Sequence, residues 1–239
     1  AMKFNIMTGK LRGYVERQIK QQQELNDSNI AMMQAQLNPH FIYNTLDTIK
    51  WVAKANNIQE ISTLVASLAK ILRTSISSGQ LITLKEELTL AQCYVDIQRI
   101  RFGGEFKYTV EMEEDLEECI VPKLIIQPLV ENAIIHGLAN RVDGNINVNV
   151  SEENEKLQIS ISDDGCGMSR EMMESLNSRD RKRSGENIGF ANVDSIIRLR
   201  YGDEYGVSVN AAEKGGTKVK VILPLIRGEA AENAKGIGG

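Results

Sequence analysis

Apolar residues recur at helical spacing through the first hundred positions and alternate with polar ones through much of the rest. The opening forty residues are polar and helix-prone, with Arg12, Glu16, Arg17, Lys20 and glutamines at 21–23. Leu25, Met32, Met33 and Leu37 draw only a thin apolar seam along them. Such a seam fits a signalling coiled coil that needs a partner helix, and equally a solvated helical extension. From Ile42 the seam strengthens. Ile42, Leu46, Ile49 and Ala53 share one face, and Ile61, Leu64, Val65, Leu68, Ile71, Leu72 and Ile76 share the next. A third helix opens at Thr83-Leu84-Lys85-Glu86, where hydroxyl and carboxylate satisfy free amides at a helix start. It runs through Leu88, Ala91 and Val95 towards Ile100. Long striped helices predict a helical hairpin, and its uncovered face predicts a second copy packed on it as a four-helix bundle.

At Gly103-Gly104 the texture changes. Phe106, Tyr108, Val110 and Met112 alternate as in a strand, and a helix is expected over about 122–138, opening on Pro122. Ile146, Val148 and Val150, then Leu157, Ile159 and Ile161, mark two more strands. Helical patterns return at 169–176 and 189–199, and Val207, Val209, Val219, Val221 and Leu223 mark the last strands. Strands mixed with helices over about a hundred residues predict a two-layer α/β sandwich. No internal repeat interrupts this order.

Composition changes the picture only by exclusion. With 42% hydrophobic and 25% charged residues the chain is ordinary for a globular protein. A net charge of -4 speaks against a dedicated nucleic-acid binder, whose affinity rests on neutralising phosphates. Cys93, Cys119 and Cys166 are too few for a disulfide framework and fit a reducing compartment. No stretch is long and apolar enough to span a bilayer, and no secretory signal is expected. Ala1-Met2 reads as a cloning scar ahead of an internal fragment, and 227–239 as a disordered or vector-derived tail.

The first candidate chemistry is His40, one of two histidines, in Leu37-Asn38-Pro39-His40-Phe41-Ile42-Tyr43-Asn44-Thr45-Leu46. Pro39 lacks an amide donor, so either Asn38 caps a new helix there or one long helix kinks. His40 and Asn44 lie one turn apart on a polar face, with Asp47 a turn further on. An exposed imidazole titrates near neutrality and can accept a phosphoryl group. Taken alone, it is also an ordinary surface histidine.

This run resembles the phosphoacceptor box of LytS/YesM-type sensor histidine kinases. The stretch from Leu84-Lys85-Glu86-Glu87-Leu88 through Tyr94 to Arg101-Phe102 is similar to that family too. The resemblance implies that His40 is the phosphoacceptor. It supplies no general base, because Phe41 stands where histidine kinases at large carry an acid. Asn44 matches the position that orients water when such enzymes dephosphorylate their partner.

Three further pieces suggest a nucleotide pocket. In Gln127-Pro128-Leu129-Val130-Glu131-Asn132-Ala133-Ile134-Ile135-His136-Gly137, Asn132 and His136 share a helix face, and an amide oxygen there can complete a hard-cation shell. In Ile159-Ser160-Ile161-Ser162-Asp163-Asp164-Gly165-Cys166-Gly167-Met168, a carboxylate at a strand end can accept from an adenine amine, and the spaced glycines admit a ligand closely. In Ser184-Gly185-Glu186-Asn187-Ile188-Gly189-Phe190-Ala191-Asn192-Val193, a helix start offers amides to phosphate. The basic stretch 177–183 before it reads as a mobile lid or a solvated loop. Lys214-Gly215-Gly216-Thr217 opens the final strand. Singly, each piece is also an ordinary surface asparagine, tight turn or loop.

Their order resembles the ATP-binding domain shared by histidine kinases, gyrase, the ninety-kilodalton heat-shock chaperone and a mismatch-repair ATPase. The resemblance implies that Asn132 holds Mg²⁺ and that Asp163 takes the adenine amine, with Gly165 and Gly167 shaping the pocket. Gly189 and its neighbours, Asn192 among them, would face the phosphates, and Thr217 would support adenine through water. His136 would reach the phosphates or pack at the helix end. Asn187 replaces a frequent glycine. Pro128 stands where ATP-hydrolysing relatives carry a catalytic Glu, which fits a kinase better than an ATPase.

The expected layout is a coiled-coil linker over 1–33, a dimerisation and phosphotransfer helical domain over 34–104, an ATP-binding domain over 105–226 and the tail. The expected function is that of a sensor histidine kinase. It would phosphorylate His40 from ATP with Mg²⁺ and pass the group to a response-regulator aspartate. It would work as a homodimer, without nucleic acid, as the cytoplasmic part of a protein anchored in a bacterial cell membrane by a missing segment. A nucleotide-binding dimeric module without autokinase activity is the alternative.

Overall fold

The computed structural model describes residues 39–77, 79–103, 106–138, 143–178, 188–212 and 215–228. The expected coiled coil, residues 179–183 of the expected lid, Asn187 and most of the tail lie outside them. The chain divides into two compact units, Ala1–Thr48 and Ile49–Gly239. Of the first, the described part is the beginning of helix α1 (Pro39–Ala55).

In the second unit α1 ends in a turn where Asn57 takes φ 56, a left-handed conformation that a short amide side chain tolerates. Helix α2 (Gln59–Ile76) follows and buries Ser62, Val65 and Ser67. A short strand β1 (Leu81–Thr83) leads into α3 (Leu84–Phe102). The expected capping box is present: Thr83 Oγ1 accepts from the Glu86 amide, and Glu86 returns the bond to the Thr83 amide. Gly103, in the left-handed region at φ 60, ends the helix.

Helix α3 is buried on two sides, which explains why its apolar pattern is not a single stripe. It packs against α2 on one side and against β1, β3 and α4 on the other. Leu84, Leu88, Ala91, Tyr94 and Val95 belong to the same core as the sheet residues. Helix α3 thus shares a core with the sheet.

Strand β2 (Lys107–Met112), a single helical turn at Glu114–Leu116 and β3 (Ile120–Pro122) come next. Here the expectation needs correcting. Pro122 does not open a helix; it closes β3, paired opposite Leu81 of β1 in a two-stranded antiparallel sheet. The helix α4 (Gln127–Asn132) begins five residues later, with Pro128 in its first turn. A proline near a helix start was the right signal attached to the wrong proline.

Strands β4 (Asn145–Glu153) and β5 (Lys156–Asp163), helices α5 (Arg170–Asn177) and α6 (Ile188–Tyr201), and strands β6 (Gly206–Ala211) and β7 (Thr217–Pro224) complete the unit. The main sheet has the order β2-β4-β5-β7-β6, parallel between β2 and β4 and antiparallel elsewhere. Alternation gives the sheet one apolar face. Ile146, Val148, Val150, Leu157, Ile159, Ile161, Val207, Val209, Val219, Val221 and Leu223 are all buried, together with Leu129, Val130, Phe190, Val193 and Ile197 from the helices. The expected architecture, a helical region followed by a two-layer α/β sandwich, is the one observed.

Candidate functional site

The first unit carries the histidine. Pro39 is the first described helical residue, so whether Asn38 caps or the helix kinks falls outside the described residues. His40 and Asn44 are both exposed, and the Asn44 carboxamide lies 3.2 Å from the ring Nδ1. The hydroxyl of Thr45 donates to the Phe41 carbonyl and that of Thr48 to the Asn44 carbonyl, each at 2.8 Å. Phe41 is 68% exposed, so the residue after the histidine neither enters a core nor offers an acid.

The second unit carries the pocket, built where β5 ends. Burial alternates along β5 through Leu157, Ile159 and Ile161, and the same period turns Asp163 to the inner face. Its neighbour Asp164 is pinned apart, accepting from the Asn145 amide at 2.8 Å and the Asn145 carboxamide at 2.6 Å. Asp163 Oδ1 accepts the amides of Gly165 at 3.0 Å and Thr217 at 3.3 Å, which ties β5 to the start of β7. Burial pushes the Asp163 carboxyl above the usual carboxylate range; the two amides oppose this, and Asp164 adds to it.

Two glycines make this cradle possible. A side chain at Gly165 would place Cβ 1.9 Å from the Gly137 carbonyl oxygen, and one at Gly216, at φ +85, would stand 2.1 Å from the Asp163 carbonyl oxygen. Gly137 is tight too, though less so: an added Cβ would lie 2.8 Å from Asp163 Oδ1. The Cys166 amide donates to the Gly137 carbonyl at 3.0 Å, closing the turn onto the end of α4.

That end is not plain α-helix. After Asn132 the backbone widens into a π turn over Ala133–Gly137, with the Leu138 amide reaching back to the Ala133 carbonyl. π turns inside helices occur often at functional sites. A cavity of about 40 Å³ is lined by Leu129, Asn132, His136, Gly137, Asp163, Gly167, Thr217 and others. Asn132, His136, Asp163, Gly167 and Thr217, which the sequence singled out, thus meet in one place. Gly189 joins them, since the Asn132 side-chain nitrogen Nδ2 lies 3.5 Å from where its Cβ would be. Gly165 acts through its amide, and Asn192 is exposed on α6 and does not line the cavity. Asn177, expected to begin the lid, is clipped to β6: its carboxamide donates to the Val209 carbonyl at 2.7 Å and accepts from the Val209 amide at 2.9 Å.

The sequence reading missed Gly137, Gly216 and, above all, Glu87. Glu87 is fully buried, and its carboxylate takes the amides of Leu124, Ile125 and Ile126 at 2.8, 2.7 and 2.7 Å. These amides lead into α4, so the helix that carries Asn132 is anchored to α3 by one side chain. Leu124 holds φ 61 in this turn. The signal was present, because an acid shares the α3 face of Leu84, Leu88 and Ala91. Tyr94, one more turn along, meets Glu131 and Gln98, and burial followed by Glu131 pushes its hydroxyl up.

Among the described residues no group of three or more His, Cys, Asp or Glu side chains could hold a metal ion. The donor set in the cavity offers the Asn132 amide oxygen instead, which fits a hard cation that arrives with phosphate and water as its other ligands.

Two family models match the chain: histidine kinase over residues 28–106, and histidine kinase-, DNA gyrase B- and HSP90-like ATPase over residues 120–227. The chain is similar to the sensor histidine kinase YesM of Bacillus subtilis, 33% identical over 92% of this chain and 37% of the relative. It is 30% identical to the sensor histidine kinase BtsS of Escherichia coli, over 90% of this chain and 36% of that one. The sensor histidine kinase/phosphatase LytS of Staphylococcus aureus is also 30% identical, over 86% and 36% respectively. The chain thus spans little more than a third of the length of the curated relatives it matches. His40 falls within the segment that the histidine kinase model matches and the cradle around Asp163 within the segment that the ATPase model matches, so the chain is similar to sensor histidine kinases through both of its matched segments.

Proposed function

We propose that this chain binds ATP with Mg²⁺, transfers the terminal phosphoryl group to His40 and delivers it to an aspartate of a response-regulator receiver domain. The observation that carries this reading is that Asn132, Gly167, Asp163 and Thr217, from three segments far apart in the chain, line one cavity. Asp163 accepts the adenine amine, and the Thr217 hydroxyl supports the ring through water. Asn132 supplies the protein oxygen to the Mg²⁺ that comes with the nucleotide; that ion would neutralise phosphate charge. Gly189, beside Asn132, leaves room for the phosphates. His40 attacks in line, and catalysis is mostly positioning.

The exposed apolar side chains of α1 and α2, Ile49, Trp51, Val52 and Ile61 among them, support a homodimer. The shared core supports an ATP-binding unit that opens at about residue 81 rather than 105. No helix among the described residues is long and apolar enough to cross a membrane. The length of the relatives supports a larger parent protein, in which a segment outside this chain provides the membrane anchor.

Incubation with γ-labelled ATP and Mg²⁺, beside His40→Ala and Asn132→Ala, tests the reading. Acid-labile, alkali-stable label absent from both variants is the expected result. Label that survives His40→Ala overturns the assignment of the acceptor. Nucleotide binding without label favours a binding module that does not phosphorylate itself.

A further inference from the structure

The carbonyls of a helix's last turn have no donor within the helix. At the end of α2, Lys123 supplies one from far along the chain. Its Nζ donates to the Thr74 carbonyl at 3.2 Å and to the Ser77 carbonyl at 2.8 Å. An ammonium suits this place, because a helix C-terminus carries partial negative charge. A cation on α2 itself could do the same. This one comes instead from the turn between β3 and α4.

The same turn grips two further elements. The Lys123 amide donates to the Gln80 carbonyl at 3.0 Å, at the entry to β1. The next amides, of Leu124, Ile125 and Ile126, are the ones that Glu87 of α3 accepts. Helix α4 follows directly and carries Asn132 to the cavity. Between α2 and β1 stands Gly79, at φ +114 with nothing within 4 Å of an added Cβ. The backbone there has open space around it, whereas the route from α2 through Lys123 to α4 is bonded at each step.

We propose that Lys123 is a clasp that couples the last turn of α2 to the nucleotide cavity, so that each tightens when the other does. This rests on ATP and Mg²⁺ binding beside Asn132. Nucleotide that orders α4 orders the turn before it, and with it the ammonium on α2. Coupling between sites is reciprocal. A displacement of α2 that pulls the Thr74 and Ser77 carbonyls from Lys123 therefore loosens the turn and weakens nucleotide binding. An input arriving along the helices reaches the cavity by this route without touching the nucleotide. A cap that only stabilised α2 would act equally with and without nucleotide.

Hydrogen exchange of the whole 239-residue chain, read by mass spectrometry, separates the clasp from the cap. Wild type, Lys123→Met and Lys123→Arg are each compared alone and with Mg²⁺ and a non-hydrolysable ATP analogue, with saturation established by titration calorimetry. Methionine keeps much of the aliphatic stem and removes the donors; arginine keeps charge and donors. In wild type the analogue should slow exchange of the Arg73–Ser77 amides about tenfold, the worth of one hydrogen bond. In Lys123→Met these amides should exchange faster and no longer respond to the analogue, while those of β4 and β5 stay protected. Lys123→Arg should restore the response. A response of equal size in wild type and Lys123→Met, or none in wild type saturated with the analogue, overturns the proposal. Wild type that binds no analogue overturns the nucleotide reading, and the coupling with it.

Discussion

Asp163 shows how one side chain joins fold and chemistry. Strand periodicity turns it inward, burial raises its pKa, and two amides hold Oδ1 in place. On the proposed function an adenine amine donates to Asp163, which needs the ionised form as acceptor, so protonation should weaken binding. Because the pKa lies above the ordinary carboxylate range, ATP affinity should begin to fall at a higher pH than an ordinary aspartate would dictate. Titration calorimetry across mildly acidic pH checks this. Asp163→Asn should bind roughly ten- to a hundredfold more weakly at neutral pH, the worth of a hydrogen bond to a charged group, and should lose this part of the pH dependence.

At the scale of elements, the piece that matters is the short α4 with its π turn. Six residues of α-helix are too few to stand alone. The element is held at one end by Glu87 of α3 and at the other by the Cys166 amide on the Gly137 carbonyl. Glu87→Ala would strand three amides without their acceptor in a buried turn. It should cost about 3 kcal/mol of stability or more, read by urea unfolding. Glu87→Gln keeps the volume but replaces one acceptor oxygen with a donor facing amide donors, so it should recover only part of the loss.

For the whole molecule, packing decides what can be cut. Strand β1 pairs with β3, and α3 shares the core of the sheet. A fragment of residues 81–228 should therefore fold cooperatively and bind nucleotide, whereas one begun at residue 105 should not, as far-ultraviolet circular dichroism and calorimetry would show. The chain's single tryptophan, Trp51, is 72% exposed. If two copies pair through α1 and α2, its emission should shift to the blue as protein concentration rises, in step with the mass measured by sedimentation equilibrium. Emission that stays constant while the mass doubles would put the interface elsewhere.

Much of this protein could be read directly from local pattern. Alternation is a property of neighbouring residues: Ile146, Val148 and Val150 mark a strand whatever lies around them, and the same period distinguishes Asp163 from Asp164. The capping box at Thr83 and Glu86 is likewise local, because residues three apart make both of its bonds. Order along the chain carried the rest, setting a histidine box ahead of the asparagine, aspartate and glycine segments. What only the tertiary structure decided depends on partners distant in sequence. Pro122 has the same ring at a helix start as in a strand, and pairing with Leu81 chose the strand. Glu87 lies on the apolar face of α3 in the sequence pattern, but what it holds is decided only when three amides some 38 residues away are brought to it. Gly137, Gly165 and Gly216 become indispensable only because three distant segments are pressed together, Gly137 against the Asp163 carboxylate, Gly165 against the Gly137 backbone and Gly216 against the Asp163 backbone. Short-range periodicity determines which way a side chain faces, and only the closing of the chain on itself determines what it meets there.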